Sequence, residues 1–320
     1  MHRFFAIMAV CGVGSVTAST LAQTHRSAEV VIASTNPGAF KSSPRLGQDD
    51  TFTMLPSVLT SRLSPYGTSP QNLETSTACV LFPDGTIVPN CDITIQWSAR
   101  NGSGGHVHNT NRPPGIFKTS NGVSSGSTGP GPSGSLTDNS GPSGTIGLTY
   151  TSPEGSGTTD LTVSGVAVVN GSTVQFGPDS FTIGMEIDGM GLASAAGFNV
   201  ATSSTMHGNN NGNATPATVA AMGITGQRFI DLLTQRQLPI RPIRATAISL
   251  PQGGLFDFRN EWQPPHVGHR FGNEIDIGIR EFTQAQRLLL VQAIGSGGFT
   301  MPVSNESPAN PNASHWHLRL

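Results

Sequence analysis

The chain has 320 residues, of which only 11% are charged, with 39 glycines, 23 prolines and a formal net charge of -2. That length accommodates a leader and two domains. Its charge provides no general attraction for nucleic acid, and no lysine or arginine lies between Lys118 and Arg228, which excludes a phosphate-binding surface there.

Residues 1–22 read as a secretory signal peptide. His2 and Arg3 form a short basic end, Phe4 to Val16 an apolar core, and Ala18 to Ala22 a small-residue region for cleavage. An apolar run of about 13 residues is shorter than the ~20 that span a bilayer. The mature chain is therefore expected to be exported, periplasmic or extracellular, with no membrane insertion once the leader is removed. Cleavage takes Cys11 and leaves Cys79 and Cys91. In an oxidising compartment this pair is expected to form one disulfide, contributing roughly 3 kcal/mol in the chain-entropy model.

Residues 23–70 are rich in Ser, Thr, Pro, Gln and Gly without sustained periodicity and read as a disordered linker. Residues 71–190 are β-rich. In "CDITIQW", Cys91, Ile93, Ile95 and Trp97 share one face while Asp92, Thr94 and Gln96 share the other. "IGLTYTS", "TDLTVSGVAVVNG", "STVQF" and "SFTIGMEI" are further strands, separated by Gly, Pro, Asn and Ser. With no helical pattern between them, this region predicts an all-β immunoglobulin-like sandwich, with the Gly/Ser/Pro-rich stretch 119–144 as a long loop.

Residues 191–320 mix helices and strands and predict a small α+β domain with an antiparallel sheet. "TGQRFIDLLTQRQLP" has helical apolar spacing, with Thr225 as N-cap and Pro239 as the stop. "FTQAQRLLLVQAIGSGG" is a second helix, capped by Thr283 and ended by Gly295. Strands are expected at "ATAISL", "EIDIGI", "GFTM" and "HWHLRL".

Five of the nine histidines follow residue 200: His207, His266, His269, His315 and His317. In "EIDIGI", Ile275, Ile277 and Ile279 face a core, which puts Glu274, Asp276 and Gly278 on the opposite face. In the last strand Trp316, Leu318 and Leu320 take one face and His315, His317 and Arg319 the other. If the two strands pair, Asp276 and His317 converge, and His269 reaches the same point from the preceding turn. Two imidazoles and a carboxylate around an open fourth position form a ligand set used for catalytic zinc. His315 lies about 6.5 Å from His317 along the strand, a spacing suited to one ligand and one general base. His266 is a candidate for the cleft or for a bond behind the ligands, and His207 for reaching the site from a loop. His106 and His108 repeat the His-x-His spacing without a neighbouring carboxylate and are assigned to a structured loop.

"SLPQGGLFD", "PPHVGHRFGNEIDIG" and "HWHLRL" together resemble the penicillin-insensitive murein endopeptidases, within the wider group of zinc peptidases that includes the D-alanyl-D-alanine carboxypeptidases and dipeptidases. The resemblance covers about residues 245 to 320 and rests on His-x6-Asp followed by His-x-His. It implies zinc held by His269, Asp276 and His317, with His315 acting on the catalytic water. Gln252 stands where the family's first element carries a basic residue, and "GNEID" replaces a Gly-Leu-Asp-x-Asp run. The function expected on this basis is an exported zinc-dependent peptidase acting on peptidoglycan peptides, or on another extracytoplasmic peptide. The alternative is a non-catalytic surface or adhesion protein whose zinc staples the C-terminal domain, with a fourth protein ligand such as His266.

Overall fold

The computed structural model describes residues 28–34, 50–54, 72–81, 85–105, 108, 110–125, 132–200, 210–256, 261–262, 268–301, 308 and 313–320. The expected leader, His106, His207 and His266 lie outside the described residues.

The first ten strands are β1 (Ala28–Ser34), β2 (Asp50–Met54), β3 (Asn72–Leu81), β4 (Thr86–Ile87), β5 (Asp92–Ala99), β6 (Ile116–Thr119), β7 (Ser133–Asn139), β8 (Thr145–Thr151), β9 (Gly157–Val169) and β10 (Ser172–Met185). They form two five-stranded sheets. One runs β1-β3-β8-β6, with β4 also on β3; the other runs β2-β10-β9-β5-β7. Every pairing is antiparallel except β2 with β10. The alternation of β5 is realised: Ile93, Ile95 and Trp97 are buried while Asp92 and Gln96 face solvent. From the other sheet Phe117, Leu148 and Tyr150 enter the same core, and Trp97 stacks on Phe117 with ring centroids 5.0 Å apart. Cys79 and Cys91 are disulfide-bonded in this core. Gly165 on β9 leaves room for them, because a Cβ there would collide with both sulfurs.

Three strands fall in stretches read from sequence as linker or loop. β1 and β2 lie within 23–70, the stretch read as linker, and pair with β3 and β10. Each is a short run held by a long-range ladder, so the average composition around it conceals it. β7 lies within 119–144, the stretch read as loop. It is an edge strand whose one buried side chain is Leu136, which leaves almost no apolar pattern to read.

The rest of the chain contributes β11 (Gly191–Leu192), β12 (Phe198–Val200), β13 (Asn213–Ala214), α1 (Pro216–Gln235), β14 (Ile243–Ala247), β15 (Glu274–Gly278), α2 (Gln284–Ser296) and β16 (His315–Arg319). β11 pairs with β13, and a four-stranded sheet runs β12-β14-β15-β16. β12 is parallel to β14, and the remaining pairs are antiparallel. Phe229 and Leu233 of α1 and Leu290 and Ile294 of α2 join Ile275, Ile277, Trp316 and Leu318 in a second core. The helices thus cover one face of the sheet and leave the other face to polar side chains.

α1 begins at Pro216 under a Thr215 N-cap, earlier than the predicted start at Thr225, which is buried within the helix. Gly223, just ahead of Thr225, weighs against a helix in that first half. Gly226, inside the predicted helix, is the point of closest approach: a Cβ there would meet the Ala196 carbonyl oxygen. α2 starts where expected, with Thr283 and Gln286 forming a reciprocal capping box, and ends at Gly297 rather than Gly295.

The two units are joined closely. Gly155 bridges Gly254, the Leu255 N–H donates to the Glu154 carbonyl at 2.9 Å, and the Ile187 N–H donates to Gln252 at 3.0 Å. The Ser156 hydroxyl donates to the Gly253 carbonyl at 2.6 Å, and Arg270 pairs with Glu154 at 3.0 Å. The "SLPQGG" segment is therefore stitched to the sandwich. No helix among the described residues is long and apolar enough to cross a membrane.

Candidate metal centre

β15 and β16 pair in the register that brings the polar faces together: Asp276 lies opposite His317, Gly278 opposite His315, and Glu274 opposite Arg319. Ile275, Ile277, Trp316 and Leu318 point into the core, so alternation forces Asp276, His315 and His317 onto the open face. His317 Nδ1 lies 2.9 Å from Asp276 Oδ1. His269 Nε2 lies 3.3 Å from Asp276 Oδ2. His269, Asp276 and His317 offer one ligand atom each within 4.8 Å of one another, so the group could hold a metal ion. The donor chemistry fits: two nitrogens and a carboxylate oxygen suit a borderline divalent ion.

His269 is fully buried and is held from two sides. Its Nδ1 lies 2.8 Å from the Ile248 carbonyl, which places the proton there and leaves Nε2 toward Asp276. Its backbone N–H donates to Glu274 Oε2. Its φ is +63°, in the left-handed region that non-glycine residues seldom adopt, although histidine does so more than most. The residue before it is Gly268, where a Cβ would press on Glu274 Oε2 at 3.0 Å and His317 Cε1 at 3.3 Å. Glycine at that position lets the turn pass over the site.

Glu274 ties the arrangement together. One oxygen accepts from the His269 amide and lies 3.9 Å from His317 Nε2, and the other lies 3.5 Å from Arg319 Nε. Burial opposes its charge, but the neighbouring His317, the hydrogen bond from the His269 amide and the charge of both imidazoles outweigh burial and hold its pKa down at about 2. Asp276 is likewise depressed despite its burial, by the adjacent His269 and His317 and by their charges. Burial disfavours the His317 imidazolium, yet Asp276 and Glu274 hold its pKa up at about 9. His317 thus turns Nε2 toward Glu274 and Nδ1 toward Asp276, and His269 turns Nε2 toward Asp276.

His315 stands beside this group: its Nε2 is 3.8 Å from Asp276 Oδ2, and its side chain is 30% exposed against 16% for His317. The structure thus gathers His269, Asp276, His315 and His317. Glu274 and Arg319 join them without having been assigned a role from sequence. The signal for both was present, since alternation placed each on the same face as a predicted ligand. His108 is elsewhere, buried with its ring edge-on to Trp262 at 4.9 Å.

No family model matches the chain, and no curated protein matches it. Among solved structures, a conjugative transposon lipoprotein from Bacteroides eggerthii is similar at 12% identity. That match covers 35% of this chain and 80% of the other, with a TM-score of 0.18.

Proposed function

We propose that the protein is an exported zinc-dependent peptidase that hydrolyses amide bonds in cell-wall peptides. The observation that carries the reading is the register of β15 on β16, which puts a two-histidine, one-carboxylate group beside a further, more exposed histidine. Zinc in that group would supply activation of a water and polarisation of the scissile carbonyl. His269, Asp276 and His317 would hold it, with Glu274 fixing the His317 ring. His315 takes a proton from the attacking water and returns it to the leaving amine, a role its exposure and position on the ligand face permit. Among the described residues the group that could hold a metal comprises three side chains, while His266, the fourth ligand of the stapling alternative, lies outside them. A fourth position open to water is what separates catalysis from a stapling metal.

The buried disulfide supports an oxidising compartment, in keeping with the leader read from sequence. An immunoglobulin-like reading of the sandwich is supported by its two facing sheets and by the β10-β9-β5 order. It departs from that arrangement in one respect: β7, the edge strand on β5, follows β6 in the chain instead of preceding it. The test is digestion of purified peptidoglycan fragments with and without a chelator, alongside metal analysis. Chelator-sensitive release of new amino groups, restored by zinc, is expected. Hydrolysis unaffected by complete metal removal would overturn the reading.

A further inference from the structure

The open face of the C-terminal sheet carries a second feature next to the ligand group. A cavity of about 360 Å³ is lined by Arg244, Gly278, Arg280, Glu281, Phe282 and His315, among others. Its floor follows from the strand register. Arg244 on β14 lies opposite Gly278 on β15, and Gly278 lies opposite His315 on β16. Arg280 continues the Asp276–Gly278 face beyond the end of β15. Gly278 has no side chain to fill the row, and a Cβ there would make only ordinary contact, 3.7 Å from Thr246 Cγ2. Both arginines are exposed. Among the described residues neither guanidinium has a hydrogen-bond or ion-pair partner. Against these two positive charges the rim offers the single carboxylate of Glu281.

We infer that this cavity is a substrate subsite in which Arg244 and Arg280 bind a carboxylate of the peptide. The inference rests on the peptidase reading and narrows its substrate class. The row Arg244–Gly278–His315 is two residues along the strand from the row of Asp276 and His317, about 6.5 Å away. An extended peptide advances about 3.3–3.6 Å per residue. The carboxylate therefore sits about two residues from the amide at the ligand group, and guanidinium groups meet it through charge-assisted, fork-shaped hydrogen bonds. His315, which lines both the cavity and the ligand group, is where recognition and chemistry adjoin.

The test uses the full-length protein, freed of metal so that a probe carboxylate cannot simply ligate zinc. Three probes are titrated by calorimetry or NMR: N-acetyl-trialanine, its C-terminal carboxamide, and N-acetyl-Ala-Ala-Glu carboxamide, whose one carboxylate is on the side chain. At least one acid should bind about tenfold tighter than the neutral amide, and the stronger of the two identifies a terminal or a side-chain carboxylate. That preference should vanish in the Arg244→Gln/Arg280→Gln double variant. It should also vanish in Gly278→Leu, which fills the cavity while keeping both charges. Equal binding of all three probes, or a preference that survives in the double variant, would overturn the inference. A preference that is intact in a protein hydrolysing nothing would uphold the subsite and count against the peptidase reading alone.

Discussion

His317 is held by two carboxylates, and this sets how the metal-free protein responds to pH. Its pKa is raised from 6.5 to about 9 by Asp276 and Glu274, against the effect of burial. The stability it contributes is fully present below pH 6.5 and is lost as pH rises toward 9. Glu274 is lowered from 4.5 to about 2, so its contribution is present above pH 4.5 and is lost as pH falls toward 2. The melting temperature of the metal-free protein should therefore plateau between about pH 4.5 and 6.5 and fall on both sides. Metal binding displaces the proton from the ligand nitrogen, so metal affinity should rise over the alkaline range where metal-free stability declines. A melting temperature that climbs from pH 6.5 to 9 without metal would contradict this account of His317. At this scale the sequence was informative about side-chain direction, because alternation fixes it: Asp276, His315, His317, Glu274 and Arg319 were all on the predicted face. It was silent about the left-handed backbone of His269 and about which partners Glu274 would find, since both arise from the turn at Gly268 closing over another strand.

Among the elements, the clearest constraint is the link between β3 and the start of β5 made by Cys79 and Cys91, with a sequence separation of 12. Replacing both cysteines by alanine should lower unfolding free energy by about 2–4 kcal/mol in denaturant titration. Metal content should stay unchanged, because the disulfide lies in the sandwich core, whereas Asp276 and His317 stand on strands β15 and β16, which pack on the other core. Loss of metal in that variant would mean that the two cores do not fold as described. Elements with strong local patterns were legible: β5, β15 and β16 from period-two alternation, and the start of α2 from Thr283. Elements sustained by distant partners were not. β1 and β2 exist through β3 and β10, β7 is a polar edge strand, and the first half of α1 carries Gly223, a weak helix former, ahead of the predicted start.

For the molecule as a whole, the sandwich supports the ligand group from behind. Glu154 of the sandwich pairs with Arg270, the neighbour of His269, and both side chains are at most 10% exposed. Removing one partner of a buried pair leaves an uncompensated charge. Glu154→Ala should thus cost about 3 kcal/mol in stability. It should also weaken metal binding in a competition assay, because Arg270 adjoins His269 in the chain. Unchanged stability and affinity would mean that the junction is incidental. The central claim is that His269, Asp276 and His317 hold the metal while His315 serves the reaction. It is tested most directly by measuring metal per chain, beside hydrolysis rate, in His317→Ala and His315→Ala. The account predicts that His317→Ala loses the metal and all activity, whereas His315→Ala keeps the metal and loses activity by roughly 10²–10⁴-fold. Equal metal loss in both variants, or full activity in either, would contradict it.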